Sequence, residues 1–80
     1  MATKPFPPKP DEPKLGLYQH FKGGTYMVVG YVFNAETETW DVMYVGAEGV
    51  WCTRSVKNFL STSLLPGSTT LVPRFKRMDP

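Results

Sequence analysis

The sequence predicts a mainly β protein: a small, strongly bent antiparallel β-barrel with one short helical turn before its last strand. Three observations lead there. β-Branched and aromatic residues run together in "TYMVVGYVF", Thr25 to Phe33, with a glycine in the middle. Further apolar stretches follow after polar or glycine-bearing breaks, the pattern of consecutive hairpins. Only "RSVKNFL" carries apolar residues at helical rather than alternating spacing.

Taken in order, the chain opens on "MATKPFPPKPDEPK", which holds Pro5, Pro7, Pro8, Pro10 and Pro13 of the 8 prolines. Proline removes a backbone donor and fixes φ, so residues 1–14 are expected as an extended, disordered tail. Such segments also serve as ligands for aromatic grooves. The folded domain is expected over 15–76, with a second short tail at 77–80. Gly23 and Gly24 then read as a turn that needs positive φ. In the strand from Thr25 to Phe33 both alternating faces are apolar: Tyr26, Val28 and Val32 on one, Met27, Val29, Tyr31 and Phe33 on the other. A strand of that kind is covered twice or bends, and Gly30 is the place for a bend. Strong curvature, and so a barrel, fits better than a flat sheet.

"NAETET" supplies a polar hairpin loop and Trp40 to Gly46 a second strand. "AEG" turns the chain into a short third strand, Val50 to Thr53, completing a meander. Ser55 can cap a helical turn through its side-chain oxygen. Val56, Phe59 and Leu60 share one face of that turn, read over Ser55 to Leu60. "LPGSTT" is loop. "LVPRF" closes the domain as an edge strand, since Pro73 cannot donate to a central ladder. This order is that of an SH3-like small barrel, an architecture that does not fix function.

An 80-residue chain makes one domain at most. A core of about sixty residues buries only roughly 60% of its unfolded surface. The 14% aromatic share offsets that, because each buried ring removes on the order of 150–250 Å² from water. The formal net charge of +2 is small. The body from Leu15 to Pro73 is close to neutral, and the basic excess sits at the end, on Arg74, Lys76 and Arg77. Nucleic-acid modules usually carry a more pronounced basic stripe. Cys52 is the single cysteine, which rules out an internal disulfide and reads as intracellular. One His and one Cys cannot build a zinc site, and neither a metal nor a cofactor is expected. The absence of an apolar leader or spanning stretch leads to the expectation of a cytoplasmic protein without a membrane partner.

His20 is the first candidate for chemistry, since imidazole titrates near neutrality. A hydrolytic site also needs a nucleophile and an orienting carboxylate, and no such set is legible. The alternative is a partly buried histidine bonded to a backbone carbonyl. "KGGT" lacks the spacing of a phosphate loop, because its lysine precedes the glycines and a strand follows them. Exposed rings paired with Arg or Lys can stack bases or clamp a peptide. The ligand-binding candidates are Tyr18, His20, Lys22, Trp51, Arg54 and Arg74, with Tyr18 and Trp51 expected at the surface.

"GLYQHFKGGTYMVVG", "AETET", Tyr44, Trp51, "RSVKNFL" and "VPRF" together resemble a family of short bacterial and phage domains, domain of unknown function 1653. The resemblance spans Gly16 to about Lys76. Its pattern is G-x-Y-x-H-[YF]-K-G at the front and V-P-R-F at the end, with L-W-x-R-P-x-x-M-F between. Here Cys52 and Thr53 separate Trp51 from Arg54, and Ser55 stands where the pattern has proline. The family implies no activity. It implies that the opening motif and the closing P-R-F are neighbours. The leading expectation is a non-catalytic binding module for a protein, a nucleic acid or a nucleotide. A structural or assembly role as a small homo-oligomer or accessory subunit is the alternative, and a His20-dependent enzyme the third reading.

Overall fold

A computed structural model describes residues 6–78; the outer parts of the two expected tails, 1–5 and 79–80, lie outside the described residues. Seven strands and one helical turn follow in chain order: β1 (Gly16–His20), β2 (Thr25–Asn34), β3 (Thr39–Gly46), β4 (Trp51–Ser55), α1 (Val56–Phe59), β5 (Thr62–Leu64), β6 (Leu71–Pro73) and β7 (Phe75–Arg77). The protein is mainly β. A five-stranded antiparallel sheet runs β4-β3-β2-β1-β7, and β5 pairs with β6 in a separate two-stranded sheet.

The expected meander of β2, β3 and β4 is present, and the loop between β2 and β3 is held by Asn34. Its Oδ1 accepts from the backbone N–H groups of Glu36 (3.0 Å) and Thr37 (3.2 Å). The predicted bend also falls where the glycine stands. Val28 pairs with Tyr44 and Gly30 with Met43, so two steps on β2 oppose one on β3 and Val29 is the extra residue of a bulge. The bulge reverses which alternate residues point inward. Tyr26 and Val28 face the same side as Tyr44 before it, and Tyr31 and Phe33 face the side of Val42 and Trp40 after it. Strict alternation assigns Tyr31 and Phe33 to the opposite face, and the bulge corrects that assignment.

The sheet is bent but does not close. β4 pairs only with β3 and β7 only with β1, so the ladder has two open edges where a barrel was expected. α1 fills the space between them instead. Ser55 caps it, its Oγ accepting from the Asn58 N–H at 3.1 Å, and Phe59 stacks on Phe75 with ring centroids 4.1 Å apart. Tyr18, Val28, Val42, Tyr44, Phe59 and Phe75 form the core.

Three further features depart from expectation. β1 is a full strand, placed between β2 and β7. "LVPRF" is two strands: at Arg74 the chain leaves β5 and joins β1. The Arg74 N–H donates to the Ser61 carbonyl (2.9 Å) and its own carbonyl accepts from the Phe21 N–H (3.0 Å). The second tail expected at 77–80 starts inside β7, where Arg77 pairs with Tyr18. Finally, residues 6–14 lack strand or helix but lie against the sheet. Phe6 packs edge-on to Phe33 at 4.8 Å, Trp40 Nε1 donates to the Pro7 carbonyl at 3.1 Å, and Pro13 is fully buried. A fixed-φ segment costs little entropy to lay down, so a few such contacts hold it.

Candidate functional site

His20 ends β1, one residue before the turn into β2. The turn is closed by two backbone bonds, His20 N–H to the Gly24 carbonyl (2.7 Å) and Gly23 N–H to the His20 carbonyl (2.8 Å), with Gly23 at φ +121°. Antiparallel pairing sets His20 directly across from Phe75 on β7. Its ring lies 4.9 Å from that of Phe75, 4.6 Å from Phe21 and 6.4 Å from Tyr26. Nδ1 accepts from the backbone N–H of Lys22 at 3.1 Å, not the carbonyl bond expected from sequence. That bond puts the proton of the neutral ring on Nε2. Burial, and then the charges of Arg54, Arg74 and Lys22, hold the imidazole below its ordinary value of 6.5.

The three cations named by that shift sit on aromatic faces. Lys22 Nζ is 5.6 Å from the centre of Phe21 and the Arg74 guanidinium 5.9 Å. Arg54 lies 5.5 Å over Phe75. Hydrogen bonds fix the two arginines: Arg54 Nε donates to Tyr44 Oη (2.8 Å) and Nη1 to Asn58 Oδ1 (2.7 Å), and Arg74 Nε donates to Ser61 Oγ (3.0 Å). Among the described residues no carboxylate pairs with Lys22, Arg54 or Arg74.

Two concavities adjoin this cluster. One, of about 530 Å³, opens between the β1–β2 turn and the β5–β6 hairpin, with His20, Phe21, Leu65, Val72, Pro73 and Lys76 in its lining. The other, of about 440 Å³, lies beside Tyr26 and Cys52 and carries Glu48. Among the described residues no group of three or more His, Cys, Asp or Glu side chains could hold a metal ion, and no helix is long and apolar enough to cross a membrane.

A family model for "protein of unknown function (DUF1653)" matches residues 16–77. The chain belongs to the DUF1653 family. It is also similar to a crystal structure of a DUF1653 protein from Bordetella bronchiseptica, with a TM-score of 0.70 and 24% identity, covering 86% of this chain and 95% of that one. At that identity the likeness concerns the fold. No curated protein matches.

Within this DUF1653 domain His20, Lys22, Arg54 and Arg74 converge. Tyr18 and Trp51 do not join them. Tyr18 is 5% exposed and belongs to the core, where its ring meets Phe59 at 5.2 Å. Its register opposite Tyr26, on the inner face, accounts for that. Trp51 is 60% exposed, but it pairs with Val45 and so faces outward, whereas Cys52 and Arg54 face inward with Tyr44 and Val42. The two residues between Trp51 and Arg54 place them on opposite faces of β4. Sequence reading missed Phe21, Phe75 and Lys76. A signal was there: "HFK" at 20–22 and "RFK" at 74–76 repeat a cation-capable residue, Phe and Lys on two neighbouring strands.

Proposed function

We propose that this domain is a non-catalytic binding module that takes an anionic ligand on the basic and aromatic face around His20. One observation carries the reading: Lys22, Arg54 and Arg74 gather round a half-buried imidazole and two phenyl rings, unpaired with any described carboxylate. Uncompensated cations held on a rigid platform attract anions, and the rings beside them give contact area. His20 supports binding over acid–base work, because its Nδ1 is oriented by a main-chain N–H and not by a carboxylate. Nucleic acid, nucleotide and acidic protein segments all satisfy this chemistry. In this reading the bulged sheet with its helical plug is an open variant of the SH3-like plan, and the single Cys52 suits the cytoplasm.

The test is a paired substitution, Lys22→Glu with Arg74→Glu. Wild type is expected to be retained on a heparin column at low salt and to elute progressively earlier as salt rises, and the double variant to flow through. Equal elution of both proteins would refute the reading. A second reading, self-assembly, is favoured by one feature: Leu64 and Leu71 pair across β5 and β6 and are 53% and 64% exposed. Light scattering at high concentration separates it, since a strict monomer would discard it.

A further inference from the structure

We propose that the cavity of about 530 Å³ beside His20 is a site for a small organic anion with a flat ring, of which a nucleoside monophosphate is the type. This deepens the reading above and rests on it.

Size points to a small ligand. Ligand cavities span roughly 300–1,000 Å³, and this one lies in that range. Charge points to an anion and against a long polymer. Lys76 lines the cavity, Lys22 and Arg74 flank its Phe21 wall, and none of the three pairs with a described carboxylate. The carboxylates of the sheet lie away from the cavity: Glu36, Glu38 and Asp41 occupy the far hairpin, and Glu48 the neighbouring concavity. Salt-resistant binding of a long polyanion needs a continuous basic track, whereas low-salt retention, or a single phosphate, needs only one cluster.

The walls point to a ring. Phe21, Leu65, Val72 and Pro73 present apolar surface, and flat faces such as those of Phe and Pro favour a planar partner. Two polar residues of the lining, Gln19 and His20, are neighbours on β1, so their side chains leave the strand on opposite faces. The His20 Nε2 proton has no acceptor among the described residues, because Nδ1 alone is engaged. Gln19 shares its face with Lys76, its partner across β1 and β7, and a carboxamide there offers the donor and acceptor pair that matches an adenine edge. Apolar walls with a cationic rim describe a ligand site better than either feature alone.

The experiment follows backbone amide shifts of the ¹⁵N-labelled full chain during titration with adenosine 5′-monophosphate, adenosine and inorganic phosphate. The monophosphate is expected to move the amides of Gln19, His20, Phe21, Gly23, Leu65 and Val72, with adenosine and phosphate each at least about tenfold weaker. Leu65→Trp fills the cavity without changing charge, and Lys76→Glu reverses charge at an exposed position. Each is expected to weaken the monophosphate at least about tenfold while leaving the remaining spectrum in place. Shifts that ignore both substitutions, or scatter over all surface cations, would overturn the site. So would binding of oligonucleotide or acidic peptide without binding of the monophosphate, though that outcome would leave the broader anion-binding reading standing. Loss of every anion, heparin included, would end both.

Discussion

At the scale of the residue, His20 and Arg54 show how neighbours fix the charge and the orientation of a side chain. Burial and neighbouring cations keep His20 neutral in the folded chain below its ordinary 6.5. An unfolded chain binds that proton near 6.5, whereas the folded ring waits for a lower pH. The unfolded state therefore gains protons first, and stability falls as pH drops below 6.5 until the folded value is passed. Thermal denaturation from about pH 7.5 to about pH 5.5 should show a declining midpoint whose slope is reduced in His20→Gln; equal slopes would exclude the imidazole as its source. Arg54 acts through shape as well as charge, since its fork reaches Tyr44 Oη and Asn58 Oδ1 together. Arg54→Lys keeps the charge and cannot make both bonds. Urea unfolding should register a loss of about 1–2 kcal/mol.

At the scale of the element, sequence legibility tracked whether a segment carries its own signal. Ser55 announces α1 because a hydroxyl cap is a local device, and Gly30 announces a bend because a glycine inside a β-branched run has few other uses. β5 was not legible, since three residues carry no period, and the break of "LVPRF" at Arg74 depends on partners elsewhere in the chain. The parity change on β2 was also hidden, because alternation holds on either side of Val29 and only the partner strand reveals the extra residue. The same limits governed the site: His20, Lys22 and Arg74 are local to two motifs, whereas the orientation of Trp51 needs the register of β4 on β3. The glycines offer a direct check. A Cβ at Gly46 would lie 3.0 Å from one edge of the Tyr26 ring, so the ring must give by a few tenths of an ångström toward Gly24, which lies against its other edge. At Gly30 a Cβ meets nothing within 4 Å. Gly46→Ala should therefore cost about 1–3 kcal/mol, and Gly30→Ala should stay within about 0.5 kcal/mol of wild type. Chemical denaturation of the two variants decides it, and similar losses would mean that Tyr26 is not hemmed in as described.

At the scale of the whole molecule, the inner face of the sheet has two ends with different covers. Near Tyr26 it carries α1, Phe75 and the cation cluster; near Phe33 and Trp40 it carries the proline-rich segment, whose Pro13 carbonyl accepts from Tyr31 Oη and whose Lys14 carbonyl accepts from Tyr18 Oη at 2.7 Å. The segment thus acts as a strap over the half of the hairpin that α1 does not reach. Under the proposed function, this division makes stability and binding separable. Deleting residues 1–9 removes the Phe6 contact with Phe33 and the Pro7 acceptor of Trp40, a loss of about 1–2 kcal/mol. That corresponds to a fall in Tm of roughly 5–10 °C for a chain of this size. Deleting residues 1–14 also removes the buried Pro13 and the acceptors of both tyrosines, and should lower Tm further. Neither deletion removes a residue of the cluster at the other end of β2, so retention on heparin at low salt should persist at a temperature where each remains folded. If both truncated chains melt with the full-length protein, the segment is a passenger and the hairpin end stands uncovered. If instead the shorter deletion abolishes retention, the strap and the basic face are one surface, and the separation of the two ends fails.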